Sequence, residues 1–347
     1  MKKIKVLSLF DGISCGQVAL KSLGYDVEYY ASEIDKYAIE IANKNYPDTK
    51  QLGDIKNVNF KKYGLVYDNK VYYGDIDLLI GGSPCQDLSI AKKNRKGLKG
   101  KRSGLFYEYL RILKEVKPKY FVLENVASMP KEAKDEISKE LGVEPIMINA
   151  ALVSAQQRKR LFWTNIPNIV LPEDRKIYLK DILEAGGYTE KEKSYCIDAH
   201  YYKGTSFKNY VEKSKRQLIF NKPVRVGKIG KGGQGGRVYS IGGKSVSLSA
   251  NGGGWGAKTG LYHIPHGYIK EKISQVDKYP TLCAQNPASK HLLIFKDYVR
   301  KLTPIECERL QSLDDNFTEG LSNTQRYRSL GNAFNVEVVK HILSYIK

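Results

Sequence analysis

The sequence predicts an α/β fold with a doubly wound sheet, joined to a smaller domain that is mostly β. Up to about Asn165, short apolar runs alternate with amphipathic stretches, which is typical of strand and helix units in such a sheet. The chain is then rich in Gly, Lys and Tyr with short β-type runs, until a helical pattern returns beyond Arg300. We therefore expect one domain from residues 1–165 and 300–347, and a second from residues 166–299.

The individual elements follow from the hydrophobic periodicity. Apolar runs between turn residues predict strands at 6–10, 28–31, 76–80, 120–123, 146–150 and 161–164. Helical spacing predicts helices at 36–45, 103–116 and 336–346. Thr303 is followed by Pro304 and by Glu306, which is the spacing of a capping box and predicts a further helix start.

Composition limits the class of protein. Lys and Arg total 57 against 37 Asp and Glu, which gives a formal net charge of +20. Such an excess favours a polyanionic partner, although a lysine-rich solubility surface is the alternative. No apolar run is long enough to span a bilayer, and the basic start is interpreted as a first strand because Asp11 interrupts it. We expect a soluble cytoplasmic protein that does not engage a membrane.

The cysteine and histidine pattern does not predict a metal site. The five cysteines form no CxxC pair, and the five histidines are scattered. An odd number of unpaired cysteines is typical of reduced thiols in a cytosolic compartment. We therefore expect no metal.

A glycine turn after the first strand predicts a nucleotide-type cofactor. Asp11, Gly12 and Ile13 follow that strand, and Glu33 lies about twenty residues on, at the end of the next. A carboxylate there can accept hydrogen bonds from ribose hydroxyls, and Asp54 can accept one from an adenine amino group. The turn lacks a complete GxGxxG, so an adenosine cofactor without phosphates fits better than a dinucleotide. An ordinary glycine turn with a solvated Glu33 is the alternative.

Three further motifs are compatible with one reaction. Pro84 and Cys85 follow the strand at 76–80, Glu124 and Asn125 lie at the end of the strand that starts at 120, and Arg158 precedes the strand at 161–164. Addition of the Cys85 thiolate to C6 of cytosine makes C5 nucleophilic toward a sulfonium methyl group. A protonated Glu124 near N3, oriented by Asn125, and Arg158 near O2 would stabilise the charge that builds up. If each motif is taken alone, the alternative interpretations are that the cysteine is a buried structural thiol and that the arginines form a solvated surface.

These motifs together resemble the cytosine-5 DNA methyltransferases of bacteria and phages. The match covers nearly everything outside the middle of the chain, and some stretches are similar to the vertebrate de novo enzymes. The resemblance implies a Rossmann-like methyltransferase sheet, with residues 166–299 as the target-recognition domain. It also implies S-adenosylmethionine as cofactor, with S-adenosylhomocysteine as product. The residues implied at the cofactor are Phe10, Asp11, Gly12, Ile13, Glu33, Ile34, Asp54, Ile55, Asn332 and Ala333. Ser14, where many bacterial members carry glycine, departs from the pattern.

The same resemblance implies double-stranded DNA as the substrate, with the target cytosine extruded from the helix. The basic run at 92–102 is expected to close over the extruded base; a disordered basic loop is the alternative. The expected DNA contacts are Gln86, Arg95, Lys96, Lys99 and Arg160. A monomer is expected, and a cognate restriction endonuclease would act separately. A transfer-RNA cytosine methyltransferase and a catalytically silent DNA-binding relative are the alternatives.

Overall fold

The computed structural model describes residues 2–61, 64–68, 70–84, 103–185, 187–189, 191–206, 209–210, 213, 216–221, 225–228, 237–240, 261–263 and 299–347. The chain divides into two compact units. The first comprises Met1–Ile182, Lys193–Lys203 and Thr303–Lys347, and the second comprises Leu183–Glu192 and Gly204–Leu302. The first unit thus joins both ends of the chain. It also contains residues 166–182 and 193–203, which the sequence-based boundary at 165 assigns to the middle domain.

Two sheets lie within the first unit. Its strands, in chain order, are β1 (Lys3–Leu9), β2 (Asp26–Ser32), β3 (Lys50–Gln51), β4 (Asn59–Lys61), β5 (Gly64–Tyr67), β6 (Lys70–Tyr73), β7 (Leu78–Gly81), β8 (Tyr120–Val126), β9 (Ile146–Asn149) and β10 (Lys159–Thr164). Strands β4, β5 and β6 form a small antiparallel sheet, and the others form a seven-stranded sheet in the order β3-β2-β1-β7-β8-β10-β9. In the large sheet, the neighbouring strands β3, β2, β1, β7 and β8 are parallel, whereas β10 runs antiparallel to β8 and β9.

Helices follow the strands in the alternating pattern that the sequence predicts. They are α1 (Cys15–Ser22), α2 (Lys36–Asn45), α3 (Phe106–Val116), α4 (Lys131–Leu141), α5 (Pro304–Leu310), α6 (Asn323–Asn332) and α7 (Val336–Leu343). The predicted capping box is confirmed, because the Thr303 hydroxyl accepts from the Glu306 amide and the Glu306 carboxylate accepts from the Thr303 amide. The predicted α/β class is therefore confirmed, with a Rossmann-like sheet dominated by parallel strands.

The main hydrophobic core lies between one face of the large sheet and helices α3 and α4. Leu9, Leu79 and Trp163 contribute from the strands, and Tyr109 and Ile137 from the two helices. All five side chains are fully buried. Alternation along a strand directs the intervening side chains to the opposite face, so the two faces carry different residues.

The opposite face of the sheet is covered by the first and last helices of the chain. Helix α1 lies close to Tyr29 and Ile80, because a Cβ on Gly16 would fall 2.9 Å from the Tyr29 hydroxyl. Helix α7 packs against α1 and buries Val339, Ile342 and Leu343. The C-terminal segment therefore completes the layer begun at the N-terminus, as its apolar spacing predicts.

The second unit contains short strands. Strands β11 (Gly187–Tyr188), β12 (Leu218–Asn221), β13 (Arg225–Lys228), β14 (Arg237–Ser240), β15 (Leu261–His263) and β16 (Val299–Lys301) form two three-stranded sheets. The order is β11-β12-β16 in one sheet and β13-β14-β15 in the other. In the described residues of both units, no helix is long and apolar enough to cross a membrane.

Candidate active site

The turn between β1 and α1 forms one side of the candidate site at the carboxyl ends of the parallel strands. Phe10, Gly12 and Ser14 have positive φ angles of 57°, 61° and 60°. A Cβ added at Gly12 would meet nothing within 4 Å, so there is open space in front of this residue. The left-handed conformation and the open space together give a ligand close access to the backbone.

Glu33 lies at the end of β2 and is fixed by backbone amides. Its Oε2 accepts from the amide of Gly12 at 2.9 Å, and its Oε1 accepts from the amides of Ile34 and Asp35 at 2.8 and 2.9 Å. Because a carboxylate oxygen carries two lone pairs, Oε1 is fully used by these two amides and Oε2 can accept one further hydrogen bond. Ile34 beside it is 73% exposed, so an apolar side chain is accessible next to the carboxylate.

Asp11 is buried within the turn. Its carboxylate accepts hydrogen bonds from the hydroxyls of Tyr29 and Ser14. Burial raises the pKa of Asp11 to about 6 although these hydrogen bonds oppose the shift. The side chain therefore stabilises the turn from inside, and its backbone is what a ligand would meet.

The other predicted cofactor residues differ in accessibility. Ile13 and Ile55 are buried in the protein interior. Asp54 accepts from the Lys56 amide at 3.0 Å and begins a 3₁₀ turn there. Asn332 is exposed at the end of α6, and the next residue, Ala333, is buried.

Residues from the C-terminal segment contact the starts of α1 and α2. The guanidinium of Arg328 on α6 is 3.5 Å from the Asp35 carboxylate. The Cys15 thiol contacts the backbone of Phe334, and burial raises the pKa of Cys15 to about 12. Phe334 was not singled out from the sequence. Its only sequence signal is its position directly after Asn332 and Ala333.

The predicted nucleophile, Cys85, and the neighbouring Gln86 lie outside the described residues, as do Arg95, Lys96 and Lys99. The structure describes the three residues before Cys85. Asn125, which is 1% exposed, donates to the carbonyl and the hydroxyl of Ser83 at 3.2 and 3.1 Å. Its side-chain oxygen accepts from the Val126 amide. Asn125 thus holds the segment that ends in Pro84, rather than the neighbouring carboxylate that it was expected to orient.

Glu124 and Arg160 form an ion pair at the same edge of the sheet. Arg160 Nε is 2.8 Å from Glu124 Oε1, and the two side chains are 17% and 12% exposed. Glu124 is paired in register with Phe162 and lies diagonally across from Arg160, on the same face of the sheet. A Cβ on Gly82 would be 2.7 Å from the Phe334 ring and 3.3 Å from Glu124 Oε2. The carboxylate therefore lies beside the segment that leads to Cys85.

Arg158 is 3% exposed and contacts backbone rather than Glu124. One terminal nitrogen donates to the carbonyl of Ala333 at 2.7 Å and to that of Gly331 at 3.3 Å. The other donates to the carbonyl of Ile197 at 3.2 Å and to the sulfur of Cys196 at 3.3 Å. Both terminal nitrogens of Arg158 therefore bond to protein groups, and the arginine that pairs with Glu124 is Arg160.

Metal ligands are not clustered in the part of the chain that the structure describes. No group of three or more His, Cys, Asp or Glu residues there has the geometry to hold an ion.

Comparison with known proteins gives a consistent result. The model of the C-5 cytosine-specific DNA methylase family matches residues 4–347. The type II methyltransferase M.HhaI of Haemophilus parahaemolyticus is 29% identical, over 98% of this chain and 93% of its own length. The orphan methyltransferase M.SPRI of Bacillus phage SPR is 27% identical, over 99% and 97% respectively.

Solved structures show the same fold. The Entamoeba histolytica methyltransferase EhMeth has a TM-score of 0.60 at 16% identity, over 99% of this chain and 98% of its own. The S. pombe Dnmt2 methyltransferase has a TM-score of 0.54 at 16% identity, over 98% and 97% respectively. Because the family model spans almost the whole sequence, this chain belongs to the C-5 cytosine-specific DNA methylases, which transfer a methyl group from S-adenosylmethionine to cytosine in DNA.

Proposed function

We propose that this methyltransferase acts on a cytosine flipped out of duplex DNA, with Cys85 as the nucleophile and Glu124 as the acid. The observation that carries the proposal is the position of Glu124 at the end of β8. It lies beside Gly82, three residues before Cys85, and pairs with Arg160. Asn125 fixes Ser83 in the same segment. An acid, a cation and the approach to a thiol therefore lie together at the sheet edge where α/β proteins bind ligands.

The chemistry follows from these groups. The Cys85 thiolate forms a bond to C6 of the cytosine, and Glu124 donates a proton toward N3 as negative charge moves into the ring. C5 then takes the methyl group, which S-adenosylmethionine supplies as an electrophilic carbon on a sulfonium. Removal of the C5 proton by a base, cleavage of the bond between sulfur and C6, and return of the N3 proton to Glu124 restore the aromatic ring and the Cys85 thiolate.

The residues of the cofactor turn fit an adenosine cofactor. The open space at Gly12 admits a ligand to the backbone, and Oε2 of Glu33 keeps acceptor capacity for one ribose hydroxyl. The exposed Ile34 gives an apolar surface for the adenine ring, and Asp54 lies at the next strand end. Asn332 is exposed at the end of α6. These residues would hold the cofactor through hydrogen bonds and apolar contact, without a phosphate cradle.

The contacts favour Arg160 over Arg158 at the cytosine O2. Arg160 is already paired with the acid that would face N3, and O2 and N3 are adjacent acceptor positions on the ring. Arg158 donates to protein carbonyls with both terminal nitrogens. We therefore assign the charge-stabilising role to Arg160 and treat Arg158 as a structural cation.

DNA engagement outside the reaction centre rests on charge and composition. The net charge of +20 and the basic run at 92–102 fit a phosphate backbone. Gln86, Arg95, Lys96 and Lys99 are the proposed contacts of that segment. The second unit, which consists of short strands in its described residues, is the proposed target-recognition part.

A covalent-trapping experiment tests the proposed function. Duplex DNA with 5-fluorocytosine at the target should form an adduct that survives denaturation, because fluorine prevents the final elimination. The adduct should require S-adenosylmethionine and should be absent in Cys85→Ser. Unmodified duplex and transfer RNA serve as controls. Adduct formation by Cys85→Ser would rule out this nucleophile, and preferential methylation of transfer RNA would rule out the duplex substrate.

A further inference from the structure

The buried guanidinium of Arg158 joins two segments that are far apart in the sequence. It donates to the carbonyls of Gly331 and Ala333 on one side and to that of Ile197 on the other. The first two carbonyls lie at the C-terminal end of α6, where helix carbonyls lack intrahelical partners and a positive charge is favourable. A buried cation is costly unless it is well hydrogen-bonded, so this arrangement needs both segments in place.

The segment Lys193–Lys203 belongs to the first unit although the second unit flanks it in the sequence. Ser194 donates to the Ala155 carbonyl at 2.7 Å and accepts from the Gln157 amide at 2.8 Å. The ammonium of Lys193 donates to the carbonyls of Ala151 and Ile177 at 2.6 and 2.7 Å. These contacts fix the segment next to Arg158.

The same segment meets the end of α6 at backbone distance. A Cβ on Gly331 would lie 2.2 Å from the carbonyl carbon of Asp198 and 2.4 Å from the amide nitrogen of Ala199. No side chain larger than hydrogen fits without moving the backbone. Gly331 therefore permits the close approach of the two segments, and Arg158 joins them by hydrogen bonds.

Phe334 reaches both parts of the candidate site. It directly follows Ala333, whose carbonyl accepts a hydrogen bond from Arg158. Its backbone contacts Cys15 at the start of α1, and its ring lies against Gly82. A shift of the Ala333 carbonyl would move Phe334 at both places.

We propose that Arg158 is a positioning residue that clasps residues 196–197 to residues 331–333, and so sets the position of Phe334 and Asn332 at the cofactor site. The inference rests on the proposed function, because it takes the cofactor to lie between the Gly12 turn and Asn332. Arg158 then acts through protein backbone and does not touch the cytosine. Loss of the clasp should weaken cofactor binding before it affects the methyl-transfer step.

The test compares two ways of opening the clasp with a variant of the reaction centre. Arg158→Lys keeps the charge but cannot bridge both segments with one planar fork. Gly331→Ala forces the same segments apart and leaves the guanidinium intact. Both should raise the Kd and the KM for S-adenosylmethionine at least about tenfold, equal to about 1.4 kcal/mol, with a smaller fall in kcat at saturating cofactor. Arg160→Lys should instead lower kcat about 100-fold and leave the cofactor Kd nearly unchanged.

Cofactor affinity is measured by calorimetry without DNA, and thermal melting checks that each variant is folded. If Arg158→Lys does not fold, Lys193→Met loosens the same segment from its other end and should give the same pattern. Wild-type cofactor affinity in the clasp variants, or an Arg158→Lys variant that reproduces the Arg160→Lys pattern, would overturn the inference. Glu33→Ala provides the separate check of the cofactor site: unchanged affinity there would refute the placement of the cofactor, whatever the clasp variants show.

Discussion

Asp11 illustrates at the residue scale how a motif residue can serve the site from the interior. In the native state it is buried and its pKa is about 6, whereas its ordinary value is 3.8. Between these two values the unfolded chain releases the proton first, because the folded chain holds it more tightly. The free energy of unfolding therefore decreases as pH rises from about 4 to about 6, and above that the penalty is constant.

Asp11→Asn should remove this dependence. The free energy of unfolding of the variant minus that of the wild type should rise by about 3 kcal/mol between pH 3 and pH 7, with most of the change complete near pH 6. Loss of the carboxylate hydrogen bonds adds an offset that does not vary with pH. Urea denaturation at several pH values measures the difference, and a difference that stays flat over this range would show that Asp11 is not buried in this way.

The sequence predicts which residue types form the candidate site. It does not predict which of two similar residues in one motif lies at the reaction centre. Glu33 and Glu124 are found at the edge where the ends of predicted strands place them. Arg158 and Arg160 are two residues apart, so the alternation of a strand sends both to the same face. What separates them is their tertiary surroundings, namely the end of α6 for Arg158 and Glu124 for Arg160. Local sequence carries no signal for that difference.

At the scale of elements, the residue after β7, Gly82, leaves room for the Phe334 ring of the C-terminal segment. Gly82→Ala places a Cβ 2.7 Å from the Phe334 ring, so the ring or the loop must move. Overpacking of this kind costs about 1–3 kcal/mol, and we expect kcat to fall about tenfold or more. In the double variant Gly82→Ala with Phe334→Leu, the smaller side chain should restore part of the rate. A double variant whose losses simply add would argue against the contact.

The predicted N-terminal cap of helix α5 can be tested against a control substitution at the start of α6. Thr303 accepts from the Glu306 amide, so Thr303→Ala should lower the free energy of unfolding by about 1 kcal/mol. Ser322 occupies the equivalent position before α6 but makes no side-chain capping bond, so Ser322→Ala should change stability little. Chemical denaturation measures both, and equal losses in the two variants would contradict the cap assignment.

Elements with strong periodicity were predicted closely, and weakly patterned ones were not. The observed bounds of α2 coincide with the predicted 36–45, and α3 begins after a 3₁₀ turn within the predicted 103–116. Helix α4 buries only Ala133, Ile137 and Ser138, which is too sparse an apolar stripe to predict it. Strand β3 has two residues, and its position depends on pairing with β2 rather than on its own sequence.

For the whole molecule, the return of a helical pattern beyond Arg300 predicts a domain made from both chain ends, and the first compact unit contains residues from both. The inclusion of Lys193–Lys203 in that unit could not be predicted, because it depends on Arg158, Lys193 and Gly331 meeting partners far along the chain. A composition change marks where a second domain starts, but it does not show where the chain returns to the first.

The charge of the whole molecule leads to a prediction about DNA affinity. Each phosphate neutralised by a cation contributes about 0.9 to the slope of log affinity against log salt. If Arg95, Lys96 and Lys99 contact phosphates, replacing all three with Gln should reduce that slope by up to about 3 and weaken binding to any sequence. The matched control replaces the exposed Lys56, Lys131 and Lys139 with Gln, which removes the same charge from the total of +20. Fluorescence anisotropy across a salt series distinguishes them: equal slopes for the two variants would mean that net charge, and not the basic run, provides the DNA contact.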